Sequence, residues 1–331
     1  MPNRLWELFI VYYIAGLFVI ACSDESFMSI EKPLGYNTET STLNWNWSNR
    51  TFLFVLTEAY FYCPESLMLN FTANLSLLFT EVELVQRFQV AKQHGFNAVE
   101  IQFPYTFNAK KLKDSLDNAD QTLILFNVDA DNLLQGGEGL ACVPEKRDQF
   151  LQAVDQAVSY AEILKPKAIN ILSGCCHVEQ RRQEYLETFL ENLLYATKVF
   201  DALGIKTVFE AINTYDMPGF LVSSGQQMLS VLSQINHPNL FMQVDIYHLQ
   251  MMGDAPEEFI AKHAQRIGHI QFADCPGRGQ PGTGNLNFEH IFSEIAKSTY
   301  SGWIGAEYRP TGSTADSLAW MQLNQWLLYM S

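Results

Sequence analysis

The sequence predicts an α/β fold, a closed (β/α)8 TIM barrel with an N-terminal extension. Three observations point there. From residue 68 onward, short apolar runs bounded by turn residues alternate with longer amphipathic stretches. Eight such pairs can be counted, and the last four strands each carry an acid or an amide near their ends. Short apolar strands alternating with helices belong to a parallel sheet, and eight βα units close that sheet into a barrel. The 331 residues leave room for this and more, since such a barrel takes about 250.

The expected strands cover residues 71–75, 98–101, 122–126, 168–172, 207–210, 240–245, 267–272 and 303–307. The clearest helical periodicities lie at 149–164, 185–203, 226–235 and 288–296. Gly95, Gly204 and Gly302 each sit just before a strand, where a helix C-cap glycine is expected.

Residues 1–67 read differently from the barrel of 68–331. The apolar run 8–21 follows Arg4; it is short for a bilayer-spanning helix but suits the core of a signal peptide. Val19-Ile20-Ala21-Cys22 resembles a lipoprotein cleavage site. Two readings stay open: an export signal or membrane anchor over residues 4–22, or an extension outside the working protein. The second is preferred and goes with a cytoplasmic barrel.

Charge narrows the function classes. Acidic residues number 36 and basic residues 21, a net charge of −15. Nucleic-acid binding needs clustered Lys and Arg to neutralise phosphates, so no nucleic-acid partner is expected. An anionic substrate would need a local cationic pocket. The six cysteines form no C-x-x-C pair, which argues against a structural zinc site or disulfide framework. Adjacent Cys175 and Cys176 read as packing residues.

In such barrels the chemistry sits at the C-terminal ends of the strands. There the fifth strand places Glu210, the sixth Asp245, the seventh Gln271 and the eighth Glu307. Three unscreened carboxylates would repel until one protonated; a divalent cation removes the conflict. All four donors are oxygens, a set that favours Mg2+ or Mn2+ over zinc. The competing reading makes each acid a solvated strand terminus, and repetition on successive strands weighs against it.

The surroundings suit a small polyhydroxy substrate. His248 lies three residues beyond Asp245 and faces the same mouth if the chain turns helical there. It is a candidate donor to a substrate oxygen or else a loop cap. The Gly- and Pro-rich loop 275–284 carries Arg278, a candidate bidentate clamp for a carboxylate. No Gly-Lys-Ser/Thr follows, so it is not a phosphate loop. Arg309 is a second cation near the same mouth or a surface ion-pair residue.

With these residues in place, the chain from Met68 to about Trp320 closely resembles the hydroxypyruvate isomerase family of the xylose-isomerase-like barrels. The resemblance rests on Phe71-Thr72-Ala73-Asn74-Leu75-Ser76, Glu210-Ala211-Ile212-Asn213 and Asp216-Met217-Pro218-Gly219-Phe220. It continues through Asp245-Ile246-Tyr247-His248, His269-Ile270-Gln271, Pro276-Gly277-Arg278-Gly279, Pro281-Gly282-Thr283-Gly284 and Gly302-Trp303-Ile304-Gly305-Ala306-Glu307-Tyr308. It implies metal binding at Glu210, Asp245, Gln271 and Glu307, with Glu210 and Glu307 as the paired proton donor/acceptors. It implies a small hydroxy- or oxo-acid substrate, with hydroxypyruvate and tartronate semialdehyde interconverted through an enediolate.

The chain departs from the family pattern on the other side of the mouth. Asn127 is followed by Val128-Asp129-Ala130-Asp131 instead of Leu-Pro-Ala-Gly. A Gly-Glu-Arg-Gly motif appears as Gly136-Gly137-Glu138-Gly139, without its arginine, and the usual loop glutamates are Gln280 and Asn285. These changes keep a 2-oxo-tetronate isomerase, or another ketose or keto-acid isomerase or epimerase, in play. Related DNA-repair endonucleases use zinc clusters rich in histidine; this chain has seven histidines, and its acidity opposes that reading. A non-catalytic binding barrel fits poorly with four polar strand ends. The aromatic tail 320–330 could serve packing on the barrel or contact with a second copy in a homo-oligomer.

Overall fold

The computed structural model describes residues 69–323; the extension and its apolar run lie outside the described residues. Eight strands run in parallel: β1 (Asn70–Asn74), β2 (Ala98–Glu100), β3 (Thr122–Asn127), β4 (Ala168–Asn170), β5 (Lys206–Glu210), β6 (Leu240–Asp245), β7 (Ile267–Phe272) and β8 (Trp303–Ala306). They pair in chain order, and β8 closes on β1, with Thr72 opposite Gly305. Each expected strand is present, its ends shifted by two residues at most, which is ordinary fraying.

The helices between them are α1 (Leu84–Gln93), α2 (Ala109–Asn118), α3 (Arg147–Leu164), α4 (Arg182–Asp201) and α5 (Gly225–Ile235). They continue with α6 (Ile246–Met251), α7 (Pro256–His263), α8 (Phe288–Lys297), α9 (Thr314–Ser317) and α10 (Ala319–Leu323). Local chemistry sets several starts. Asn108 caps α2 by accepting from the amides of Lys110 and Lys111, and Ser224 caps α5 by accepting from Gln227. Among the described residues no helix is long and apolar enough to cross a membrane.

Alternation along the strands sorts side chains into two populations. Outward residues pack on the helices: Phe209 meets Phe189 of α4 with ring centroids 6.3 Å apart. Phe272 meets Phe292 of α8 at 5.3 Å and Trp320 at 5.2 Å. The start of the aromatic tail therefore packs on the barrel, and residues 324–330 lie outside the described residues. Inward residues begin with an apolar floor of Ala98, Ile124, Leu125, Ala168 and Val208. Above it the interior turns polar.

Two of the three expected C-cap glycines hold: Gly95 and Gly204 adopt left-handed φ of 95° and 69° after α1 and α4. Gly302 does not. Helix α8 ends at Ser298 in extended conformation, and a short loop follows. A side chain at Gly302 would instead run into the ring of Tyr300, whose hydroxyl donates to the Trp303 carbonyl. Cys142, Cys175 and Cys176 are buried and unbonded, which agrees with the packing reading.

Phe272 touches Phe71, Phe288, Phe292, Tyr308 and Trp320. Phe272→Ala is expected to destabilise the barrel by about 3–5 kcal/mol, measured by urea unfolding. A loss below about 1 kcal/mol would contradict this packing.

Candidate active site

The polar ends of the later strands meet at the C-terminal mouth. Glu210, Asp245, Gln271 and Glu307 are all at least 95% buried, so they are not solvated strand termini. Glu210 Oε1 accepts from Asn170 Nδ2 at 2.7 Å, and its Oε2 accepts from Gln243 Nε2 at 3.1 Å. Glu307 Oε1 accepts from Asn74 Nδ2 at 3.0 Å and Gln102 Nε2 at 2.8 Å. Gln271 Oε1 accepts from Gln243 Nε2 at 2.6 Å.

Asp245 divides its two oxygens. Oδ1 caps α6, accepting from the amides of Tyr247 and His248. Oδ2 faces the mouth, 3.5 Å from His248 Nε2 and 3.4 Å from Arg278 Nη2. The helical turn that sequence reasoning required for His248 is therefore present. Asn213 Nδ2 lies 2.7 Å from His248 Nδ1 and can only donate. Nδ1 then accepts, and Nε2 carries the hydrogen toward the site. Burial lowers the His248 pKa to about 4, so the ring is a neutral donor at pH 7.

Arg278 enters from the loop after β7. Its Nη2 donates to Glu307 Oε2 at 2.8 Å and bridges to Asp245. The guanidinium lies 5.4 Å above the Tyr247 ring, whose hydroxyl donates to Asp216 at 2.8 Å. The loop is pinned by Asp274. That carboxylate accepts from the amides of Cys275, Gly282, Gly284 and Leu286, at 2.8 to 3.1 Å. A side chain at Gly284 would collide with it. Arg278 itself holds a left-handed φ of 56°, which costs about 1–2 kcal/mol in a non-glycine residue and is kept by these anchors. Arg309 is exposed and touches the loop through its backbone amide, which donates to the Arg278 carbonyl.

The donor set suits a hard cation: three carboxylates, an amide oxygen, and the buried acceptors Asn170 Oδ1 and Gln243 Oε1, which have no hydrogen-bond donor. The spacing is set by Arg278. Among the described residues no three His, Cys, Asp or Glu side chains stand close enough together to hold a metal ion.

Sequence reasoning missed Asn74, Glu100, Gln102, Asn170, Gln243 and His269. Gln243 and His269 were within reach, because each lies two residues before a recognised site residue and so on the same strand face.

The xylose isomerase-like TIM barrel description matches residues 88–323. The chain belongs to this family. Within it, the chain is 38% identical over 254 residues to the hydroxypyruvate isomerase of Escherichia coli K12, covering 77% of this chain and 98% of that one. It is 36% identical over 255 residues to the 2-oxo-tetronate isomerase of Pectobacterium atrosepticum, covering 77% and 97%. A crystal structure titled AP endonuclease, family 2, from Brucella melitensis superposes with a TM-score of 0.74 at 34% identity. It covers 77% of this chain and 99% of that one.

In this xylose isomerase-like barrel the buried charges are out of balance. Burial, reinforced by Glu307 and Asp245, raises the pKa of Glu210 well above the usual carboxylate value. Burial likewise raises Glu307; Arg278 pulls it back, while Asp245 and Glu100 add to the rise. Both acids hold protons more tightly in the fold than in the unfolded chain. The associated stability is complete below the ordinary value of 4.5 and is lost as pH rises through the raised folded values. Metal-free protein is therefore expected to lose resistance to urea from about pH 5 to about pH 8, and Glu210→Gln to flatten that slope. An unchanged slope in the variant would contradict the assignment.

Proposed function

We propose that this chain is an isomerase that interconverts hydroxypyruvate and tartronate semialdehyde, moving a proton between adjacent carbons through an enediolate. The observation that carries the reading is the pair of buried glutamates, Glu210 and Glu307, each with a raised pKa and each held by amide donors. A carboxylate whose pKa approaches the working pH can both take and return a proton. One glutamate removes the proton at one carbon and the other delivers a proton to its neighbour. Identity of 38% and 36% to relatives named as isomerases of these two acids supports the reaction class.

Glu210, Asp245, Gln271 and Glu307 would hold a divalent cation, Mg2+ or Mn2+, once Arg278 withdraws from Asp245. A bound cation would supply Lewis-acid stabilisation of charge developing on the substrate oxygens. Arg278 would then meet the substrate carboxylate, with its orphaned Nε free to donate. His248 Nε2–H would donate to a substrate oxygen.

A second reading, isomerisation of 2-oxo-tetronate, is favoured by the opposite wall. Where the family pattern has an arginine beside Glu138, this chain has Gly139, and Glu138 accepts from the Tyr185 hydroxyl at 2.9 Å. With fewer cations on that side, the carboxylate depends on Arg278, and the far end of the substrate is less constrained. A nuclease reading has no comparable support, given the net charge of −15.

Purified protein assayed on both acids, with EDTA or with added Mg2+ or Mn2+, is expected to give metal-dependent isomerisation. Faster turnover of 2-oxo-tetronate would favour the second reading, and no turnover of either acid would refute the isomerase. Glu210→Gln and Glu307→Gln are each expected to lower kcat by about 10²–10⁴ with the fold intact by circular dichroism; full activity in both would refute the two-glutamate scheme. Arg278→Lys is expected to raise KM for the acid substrate, because the bidentate geometry is lost. An unchanged KM would place the carboxylate elsewhere.

A further inference from the structure

A second polar layer lies beneath the glutamates, and the proposed chemistry does not use it. Its centre is Glu100 of β2, which is completely buried. Glu100 Oε2 lies 2.6 Å from His269 Nε2. Glu100 Oε1 accepts from Gln271 Nε2 at 3.1 Å and, more weakly, from Asn74 Nδ2 at 3.5 Å. The space exists because β8 has no side chain at Gly305; a Cβ there would collide with the Glu100 carboxylate.

A carboxylate only accepts, whereas an amide has one donating and one accepting end. Glu100 therefore selects which end of each neighbouring amide turns toward it. Gln271 points its nitrogen at Glu100 and its oxygen at Gln243, which donates in turn to Glu210. Asn74 points its nitrogen at both Glu100 and Glu307. One buried acid thus connects to Glu210 through two amides and to Glu307 through one.

We propose that Glu100, held in place by His269, is a positioning residue: it orients Gln271 with its oxygen toward the carboxylate cluster and Asn74 with its nitrogen on Glu307. The use of that oxygen as a cation ligand rests on the function proposed above; the orientation itself does not. Partners one step behind metal ligands commonly matter by 10–100-fold in affinity.

The test compares full-length wild type with Glu100→Gln, Glu100→Asp, Gln271→Glu and the swap Glu100→Gln/Gln271→Glu. The probes are Mn2+ alone, titrated by calorimetry, and thermal unfolding of metal-free protein. Glu100→Gln sets donor against donor, and Gln271→Glu sets acid against acid; each is expected to lower Tm. The swap restores one donor and one acceptor and is expected to recover most of the loss. Glu100→Asp keeps the charge but shortens the reach, and both it and Glu100→Gln are expected to weaken Mn2+ binding about tenfold or more. Tm losses that merely add in the swap, or wild-type Mn2+ affinity in Glu100→Asp, would overturn the proposal. Coupled Tm effects in a protein that does not isomerise hydroxypyruvate would support the positioning role while sinking the proposed reaction. Should wild type bind no Mn2+, the cation reading falls and the Tm coupling alone decides on Glu100.

Discussion

Burying several carboxylates in one place is the constraint on which the rest of this barrel depends. Each buried charge loses its hydration, and each raises the cost of ionising its neighbours. Glu210, Asp245 and Glu307 share one mouth, with Glu100 a layer below. The fold answers in two ways. Neutral amides from the first half of the barrel, Asn74, Gln102 and Asn170, donate to the acids. One guanidinium, Arg278, lies between Asp245 and Glu307. The remaining imbalance appears as raised pKa values on the two glutamates, which are the proposed proton carriers.

Placing one cation with that accuracy requires a rigid loop, and Asp274 accounts for the rigidity. Four backbone amides converge on its carboxylate, so the loop is organised from inside rather than by packing against helices. The Tyr247–Asp216–Asn213 chain supports the guanidinium from the neighbouring strand ends, and Asn213 also sets the His248 tautomer. The carboxylate clamp and the neutral imidazole donor thus share one support. The opposite wall has lost the family arginine and kept Glu138, bound to Tyr185. The two sides of the mouth consequently differ in charge, and this asymmetry bears directly on which acid fits.

Much of this was legible before the structure, for identifiable reasons. Strand positions followed from apolar runs between turns, and barrel closure followed from their number. The convergence of Glu210, Asp245, Gln271 and Glu307 followed from strand ends alone. Asn74, Gln102 and Asn170 were not legible that way, because an amide in a strand has many uses and only its partner shows which applies. Glu100 sits in an apolar run that resembles any buried strand, and its role depends on the empty position at Gly305 across the sheet. The contact of Arg278 with the site's own acids depends on loop geometry that no spacing encodes. Gly302 was misassigned because a glycine before a strand can serve close packing as well as a helix cap.

The central claim, proton transfer between adjacent carbons by two glutamates, is tested most directly by following hydroxypyruvate turnover in D2O by proton NMR. An enediolate protonated by a group that exchanges with solvent predicts tartronate semialdehyde carrying deuterium at the carbon that gains the proton. Product that retains only the hydrogen removed from the substrate would point to direct hydride transfer and contradict the account, as would no conversion by the folded, metal-loaded protein.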